Sequence, residues 1–326
     1  MKSLHHLALL FLSVGLNCSF AQPIEDNRLE VVGRLQGAAN HYFGSIGNVS
    51  YDVEVLTLKA AGKSLVSEKD APRGKASILL SGEKYRIVDT LDISAEGYKN
   101  HNVVAYDGET YQRLRNRDLE LYLKKLSPSE QRPSEYFLRY VDAFLNPFEF
   151  LSNSIFESDA TRLEISQMLQ QDTWKNLQSR LSDLEIGSAD GKTTMTMTLK
   201  GGVEWWTQRE TIYRVTFDTS NGMYPIKWER RSEDGNLIYQ YVVDKLASVS
   251  DDSGSSILVP IVATKSFYGG ISKFPFQSDP LLVQRILITN FKNNVTINDD
   301  EIFSIDPTLA RTVYDANNGV QLKVPR

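Results

Sequence analysis

Across 326 residues, 41 acidic side chains outweigh 36 basic ones and no basic run or stripe occurs, which argues against a nucleic-acid partner. A balance of 41% hydrophobic and 24% charged residues is that of a globular chain and excludes a disordered one. The single cysteine, Cys18, excludes a disulfide framework.

The chain begins with Lys2 and then an apolar run, Leu7 to Leu16, that shows no polar face. That run is too short to cross a bilayer, which takes about 20 apolar residues. Ser19-Phe20-Ala21 puts small residues at the two positions a signal peptidase reads, so residues 1–21 read as a secretory signal cut before Gln22. The expected product is exported, with the periplasm as its compartment. Secretion to the medium is one alternative, and anchoring through a lipidated Cys18 is another. Asn17 fits poorly where a lipoprotein signal needs a small residue. Cleavage after Ala21 removes the only cysteine, so stability outside the cytoplasm must come from packing. The remaining chain, 22–326, has no later stretch long and apolar enough to span a membrane.

Residues Glu25 to Phe43 read as a helix, with Leu29, Val32, Leu35, Ala39 and Tyr42 on an apolar face and Gly44 and Gly47 at its end. The period then changes to two. Tyr51, Val53 and Val55 alternate with Asp52 and Glu54, the pattern of a half-buried strand. Further strands are expected at 75–80, 85–93, 103–106, 110–114 and 119–123, with Asp107-Gly108 as a tight turn. Links this short force antiparallel pairing.

A helical insert is expected at about 127–181. Ser127-Pro128-Ser129-Glu130 supplies an N-cap serine, a first-turn proline and a third-position glutamate, and Thr161 with Glu164 repeats the capping pattern. Strands resume at Leu184. They include Met195-Met197-Leu199, Tyr213-Val215-Phe217 and Ile226-Trp228, then 237–243, 257–267, 283–291 and 320–324, with 248–256 as a polar loop. This order of helix, strands, insert and strands is not the alternation of a parallel α/β fold. It predicts a mainly β, α+β chain with a strongly curved antiparallel sheet and helices packed on one side. The whole of 22–326 is expected to form a single domain.

Several fragments resemble the periplasmic lipoprotein-carrier superfamily, the LolA- and LolB-like proteins with their regulatory relative RseB. They are Gly82-Glu83-Lys84-Tyr85-Arg86-Ile87, Ala105-Tyr106-Asp107-Gly108-Glu109, Tyr224-Pro225-Ile226-Lys227-Trp228 before Asp234-Gly235-Asn236, and Val313-Tyr314-Asp315 ahead of Gly319-Val320. The helical insert sits where that family places its plug. The resemblance implies an incomplete β-barrel around a hydrophobic cavity, lined or plugged by helices. It further implies a non-enzymatic protein that binds an acyl chain, a lipid or a lipidated protein in outer membrane biogenesis. The alternative it carries is an RseB-like module that recognises an envelope protein partner.

Catalytic chemistry finds little footing in the residues. With His5 and His6 in the signal, only His41 on the helix and His101, expected in a loop, could serve a triad, and no Gly-x-Ser-x-Gly elbow accompanies them. No metal motif occurs. Asp315-Ala316-Asn317 lacks the closing acid of a calcium loop, and Asn298 to Glu301 reads as a solvated turn. Gly201-Gly202 and Gly269-Gly270 do not open helices and read as strand bends rather than phosphate cradles. No cofactor is expected. The aromatic and methionine residues of the second half carry the positive signal. Met195, Met197, Tyr213, Val215, Phe217, Trp228, Tyr239 and Tyr241 are the expected lining of a hydrophobic cavity, with the methionines suited to an adaptable wall. Sequencing of exported protein should start at Gln22, whereas an acylated Cys18 at the N-terminus would show an anchored protein instead.

Overall fold

A computed structural model of the chain describes residues 24–82, 84–92, 99–115, 118–126, 147, 177–189, 192–203, 210–250, 254, 256–270, 274–298 and 300–325. The expected signal peptide with Cys18, and nearly all of the insert at 127–181, lie outside these residues. Residues 177–180 form a helical turn that leads into the second run of strands. Among the described residues no helix is long and apolar enough to cross a membrane.

Helix α1 (Ile24–Gly44) spans the expected range. Val31, Val32, Leu35, Ala39 and Tyr42 are buried on it, but Leu29 is 54% exposed. Successive steps of three residues drift off a 3.6-residue period, and six residues rotate Leu29 roughly 120° away from Leu35.

Six strands follow, β1 (Val49–Lys59), β2 (Arg73–Ser81), β3 (Lys84–Asp92), β4 (Lys99–Tyr106), β5 (Thr110–Arg115) and β6 (Glu120–Lys125). His101 lies in β4 opposite Thr90 rather than in a loop. The Asp107-Gly108 turn forms as expected: Asp107 Oδ1 accepts from the N–H groups of Glu109 at 2.9 Å and Thr110 at 2.7 Å, and Gly108 takes φ +102°. Past the insert come β7 (Leu181–Ala189), β8 (Lys192–Val203), β9 (Glu210–Asp218), β10 (Tyr224–Ser232), β11 (Leu237–Ser250), β12 (Ser256–Phe267) and β13 (Leu282–Lys292). Strand β11 runs seven residues past its expected end, into the segment read as polar loop. The chain closes with β14 (Thr312–Asp315) and β15 (Val320–Lys323).

All fifteen strands join one sheet, in the order β15-β14-β6-β5-β4-β3-β2-β1-β13-β12-β11-β10-β9-β8-β7. The edge strands β7 and β15 do not pair, so the sheet is open. Ladders are antiparallel with one exception: β14 runs parallel to β6, pairing Thr312 with Glu120 and Asp315 with Leu123. The expectation of an all-antiparallel sheet fails at this one ladder, because the chain reaches β6 through a long connection rather than a hairpin. Register shifts interrupt β1, β7, β8, β10 and β11, and bulges of this kind bend and twist a wide sheet.

The two runs meet at β1 and β13, where Val53 faces Ile288 and Val55 faces Ile286. Continuing sideways, Val53 also opposes Ala76, and Ile286 opposes Ala263. These apolar rows and the stripe of α1 belong to one buried cluster that covers one face of the sheet. The link from α1 into β1 is tied to the segment after β13. Gly47 N–H donates to Asn293 Oδ1 at 3.0 Å, and Asn293 Nδ2 donates to the Ser45 carbonyl at 2.7 Å. A side chain at Gly47 would meet Asn294 Oδ1 at 1.9 Å.

A second, smaller cluster lies on Ala105, Leu114 and Leu121, where Ile305 and Ala310 of the C-terminal segment pack. Arg86 donates to the carbonyls of Ile302 and Ser304, and buried Gln112 accepts from Ile305 N–H at 2.8 Å. The acidic run before Phe303 forms a 3-10 turn, Asp300–Phe303, and Phe303 itself is fully buried. If α1 is bound to the sheet by its buried stripe, Leu35→Ala should cost about 2–5 kcal/mol in urea unfolding. Leu29→Ala should stay within about 0.5 kcal/mol.

Candidate functional site

The eight residues expected to line a cavity share one face of the second run of strands, in three neighbouring rows. Met197, Val215, Trp228 and Tyr241 stand opposite one another across β8 to β11. Met195 faces Phe217 in the next row, and on the other side Tyr213 and Tyr239 flank Arg230. Seven of them are buried, and Tyr239 is half-buried against the same cluster. Trp228 stacks on Tyr239 at 5.2 Å and on Tyr241 at 6.1 Å. Two buried arginines stand among these rings, and the sequence reading passed over both. Arg180 lies 5.6 Å over the Tyr213 ring and donates to the Lys200 carbonyl at 2.7 Å, while Arg230 is 2% exposed.

None of the eight lines the cleft of about 510 Å³ that opens between α1, the β9–β10 turn and the start of β12. Arg34, Ala38, His41 and Tyr42 form its helical wall. Spacings of four, three and one keep these positions on one side of a helix. Across from them, Met223 and Tyr224 form the floor, and Ile257 and Leu258 close the β12 side. Tyr42 meets Tyr224 edge-on at 5.6 Å, and both rings are buried. This pair fixes the C-terminal end of α1 to the first residue of β10.

The turn that carries the floor is held from inside. Buried Asp218 accepts from Ser220 N–H at 2.9 Å, from the Ser220 hydroxyl and from Asn221 Nδ2 at 2.8 Å. Gly222 and Met223 then adopt φ +64° and +65°. The left-handed region costs a side-chain-bearing residue on the order of 1–3 kcal/mol and persists only where neighbours over-determine it. Here the Asp218 bonds and the 3% exposure of Met223 supply that constraint.

At the rim the groups are different. Arg34 and His41 are exposed, and among the described residues their side chains have no hydrogen-bond or ion-pair partner. No cluster of three or more potential metal ligands occurs among the described residues. Asp315, considered for a calcium loop, instead accepts from Asn317 and Asn318 in the β14–β15 turn. The asparagine and glycine before Tyr224 are a turn signal visible in the sequence, but nothing local in them tells of the helix opposite.

No family model matches the chain, and no curated protein matches it. Solved structures similar to it include a DUF1329 family protein from Desulfovibrio piger at 9% identity and a TM-score of 0.43, covering 86% of this chain and 96% of that one. A domain from Vibrio parahaemolyticus named for outer membrane lipoprotein sorting is similar at 10% identity and a TM-score of 0.43, covering 86% and 97%. A LolA superfamily protein from Nitrosomonas europaea is similar at 13% identity and a TM-score of 0.40, covering 83% and 97%. The last belongs to the group that the sequence fragments resemble. The chemistry of the cleft is read from its own residues.

Burial raises the Tyr42 phenol well above the usual tyrosine range, and the Tyr224 phenol beside it offsets part of that effect. Tyr224 is raised by burial first, then by the neighbouring Tyr42 and Tyr241 phenols. The folded state therefore keeps protons that unfolded tyrosines release near pH 10. Their contribution to stability is fully present below about pH 10 and is lost as the pH rises beyond it. Urea unfolding of the Tyr42→Phe/Tyr224→Phe variant should show a shallower decline than wild type on the alkaline side. Equal slopes would mean that neither phenol is held in its protonated form by the fold.

Proposed function

We propose that this protein is an exported, non-enzymatic binding protein that takes the apolar part of a lipid or a lipidated protein against the face of its sheet, beside α1. The observation that carries this reading is the cleft itself. Its floor is Met223 and Tyr224, its far side Ile257 and Leu258, and its volume of about 510 Å³ falls in the range of sites that hold small apolar ligands, about 300–1,000 Å³. The buried aromatic and methionine rows of β8 to β11 belong to the same cluster as Tyr224, so a ligand chain could extend toward them by displacing an adaptable residue such as Met195 or Met197.

The binding reading also suits the histidines. His41 stands at the cleft without the carboxylate that orients a general base, among the described residues. Export to the periplasm, the signal at 1–21 and the single domain over 22–326 with a helical insert complete the proposal. Exposed Val320 and Leu322 on edge strand β15 favour a second reading, a module that recognises an envelope protein by that edge.

Delipidated protein should bind a pyrene-labelled fatty acid, and native mass spectrometry of protein purified without delipidation should show a bound acyl species. Ala38→Trp would fill the cleft from the helix side and should abolish probe binding while the circular dichroism spectrum stays unchanged. Wild-type protein that neither carries nor binds any apolar molecule would overturn the reading and favour the protein-recognition module.

A further inference from the structure

The rim of the cleft carries a charge pattern that its floor does not explain. Arg34 and His41 lie seven residues apart on α1, about two turns or 10 Å along the axis, with Ala38 between them. Ala38, Met223 and Tyr224 line the same cleft as the two basic groups. An exposed arginine on a helix is most often no more than a solvated surface group. Three observations set this one apart.

First, the side chain of Arg34 has no acidic partner among the described residues, although Glu30 stands one turn away on the same helix. Second, among the described residues no carboxylate lines the cleft, and Asp218 in the facing turn is buried with its oxygens bonded to Ser220 and Asn221. Third, the remaining polar side chains of the lining, Thr219, Asn221 and Ser256, are uncharged, and the Ser256 hydroxyl is bonded to that of Ser248. On a chain whose acidic residues outnumber its basic ones, the described lining of this cleft therefore carries only basic groups at its mouth, with apolar surface below.

We infer that the cleft selects a single-chain amphiphile with an anionic head, the head lying between Arg34 and His41 and the chain running down against Tyr42, Met223 and Tyr224. The inference rests on the reading of the cleft as an apolar-ligand site and adds the polarity and direction of binding. The guanidinium is the principal partner, because its planar donors match a carboxylate or phosphate head in two parallel bonds. The imidazole adds a further donor from the same helix face.

The test compares pyrene-dodecanoic acid with its methyl ester on delipidated protein at neutral pH. The acid should bind about fivefold more tightly than the ester, near the upper end of what an exposed charge pair supplies. The preference should shrink in about 1 M NaCl, where screening acts over only ~3 Å. Arg34→Gln should remove the preference by weakening the acid about fivefold more than the ester, Arg34→Lys should retain part of it, and His41→Gln should reduce it less than Arg34→Gln does.

Equal affinity for acid and ester in wild type, or a preference that survives Arg34→Gln, would overturn anion selection. The apolar site would still stand in that case if Ala38→Trp abolished binding of both probes. Failure of wild type to bind either probe would overturn the apolar reading itself and this inference with it. Competition by short-chain acetate as strong as by the long-chain acid would show a site for free anions and would also overturn the amphiphile.

Discussion

The ladder between β1 and β13 joins two hairpin-linked runs of strands that would otherwise be separate sheets. Its partners, such as Val53 with Ile288 and Val55 with Ile286, lie more than two hundred residues apart in the chain. Closing so long a loop costs entropy before any contact is gained, so this pairing is expected to form late in folding. Once it forms, much else is set. Helix α1 enters directly ahead of β1, and the Gly47, Ser45 and Asn293 bonds pin its end beside the exit of β13. From that fixed end the helix lies over the sheet, and its Tyr42 reaches Tyr224 on β10. The cleft lies between this end of α1, the β9–β10 turn and the start of β12.

The other face of the sheet is finished by different means in its two halves. Over β3 to β6 the C-terminal segment covers it with Ile305 and Ala310, anchored by Arg86 and Gln112, and then adds β14 and β15 at the edge. Over β7 to β11 the cover is ionic. Arg214 pairs with Glu185, and Glu229 takes bonds from Lys227, Arg231 and Gln240. Burial by itself would raise the Glu229 carboxyl, but the bonds from Lys227 and Arg231 outweigh it and hold it below the usual range. A buried carboxylate can be kept charged here only because three donors converge on it. Strand β10 is consequently buried on both faces, with Trp228 and Arg230 on one and Glu229 on the other. The floor of the cleft begins at its first residue, Tyr224.

The cleft also joins two kinds of order. Its helical wall is regular backbone held by packing, and its floor is a strained turn in which Met223 sits at positive φ. The strain is stabilised locally, by Asp218 within the turn and by burial of the methionine side chain. The apolar floor is thus buried and locally braced, while Arg34 and His41 at the rim are exposed.

Much of the scaffold was legible from the residues alone. Alternation of period two placed the strands, the Asp107-Gly108 pair placed a turn, and the α1 stripe was right at Val32, Leu35, Ala39 and Tyr42. The departures have local causes. Leu29 failed because steps of three drift around a helix, and His101 because a polar stretch of β4 shows no apolar alternation to mark it as strand. The common face of Met195, Met197, Tyr213, Val215, Phe217, Trp228, Tyr239 and Tyr241 also followed from alternation. That these eight form packed rows while the cleft opens elsewhere could not follow from it, because period two assigns a face and not the depth of what covers it. The parallel ladder of β14 on β6, the C-terminal cover and the meeting of Tyr42 with Tyr224 were decided only in three dimensions. Each joins segments too far apart in the chain for any local pattern to record, and each depends on a sheet whose order is fixed by the pairing of β1 with β13.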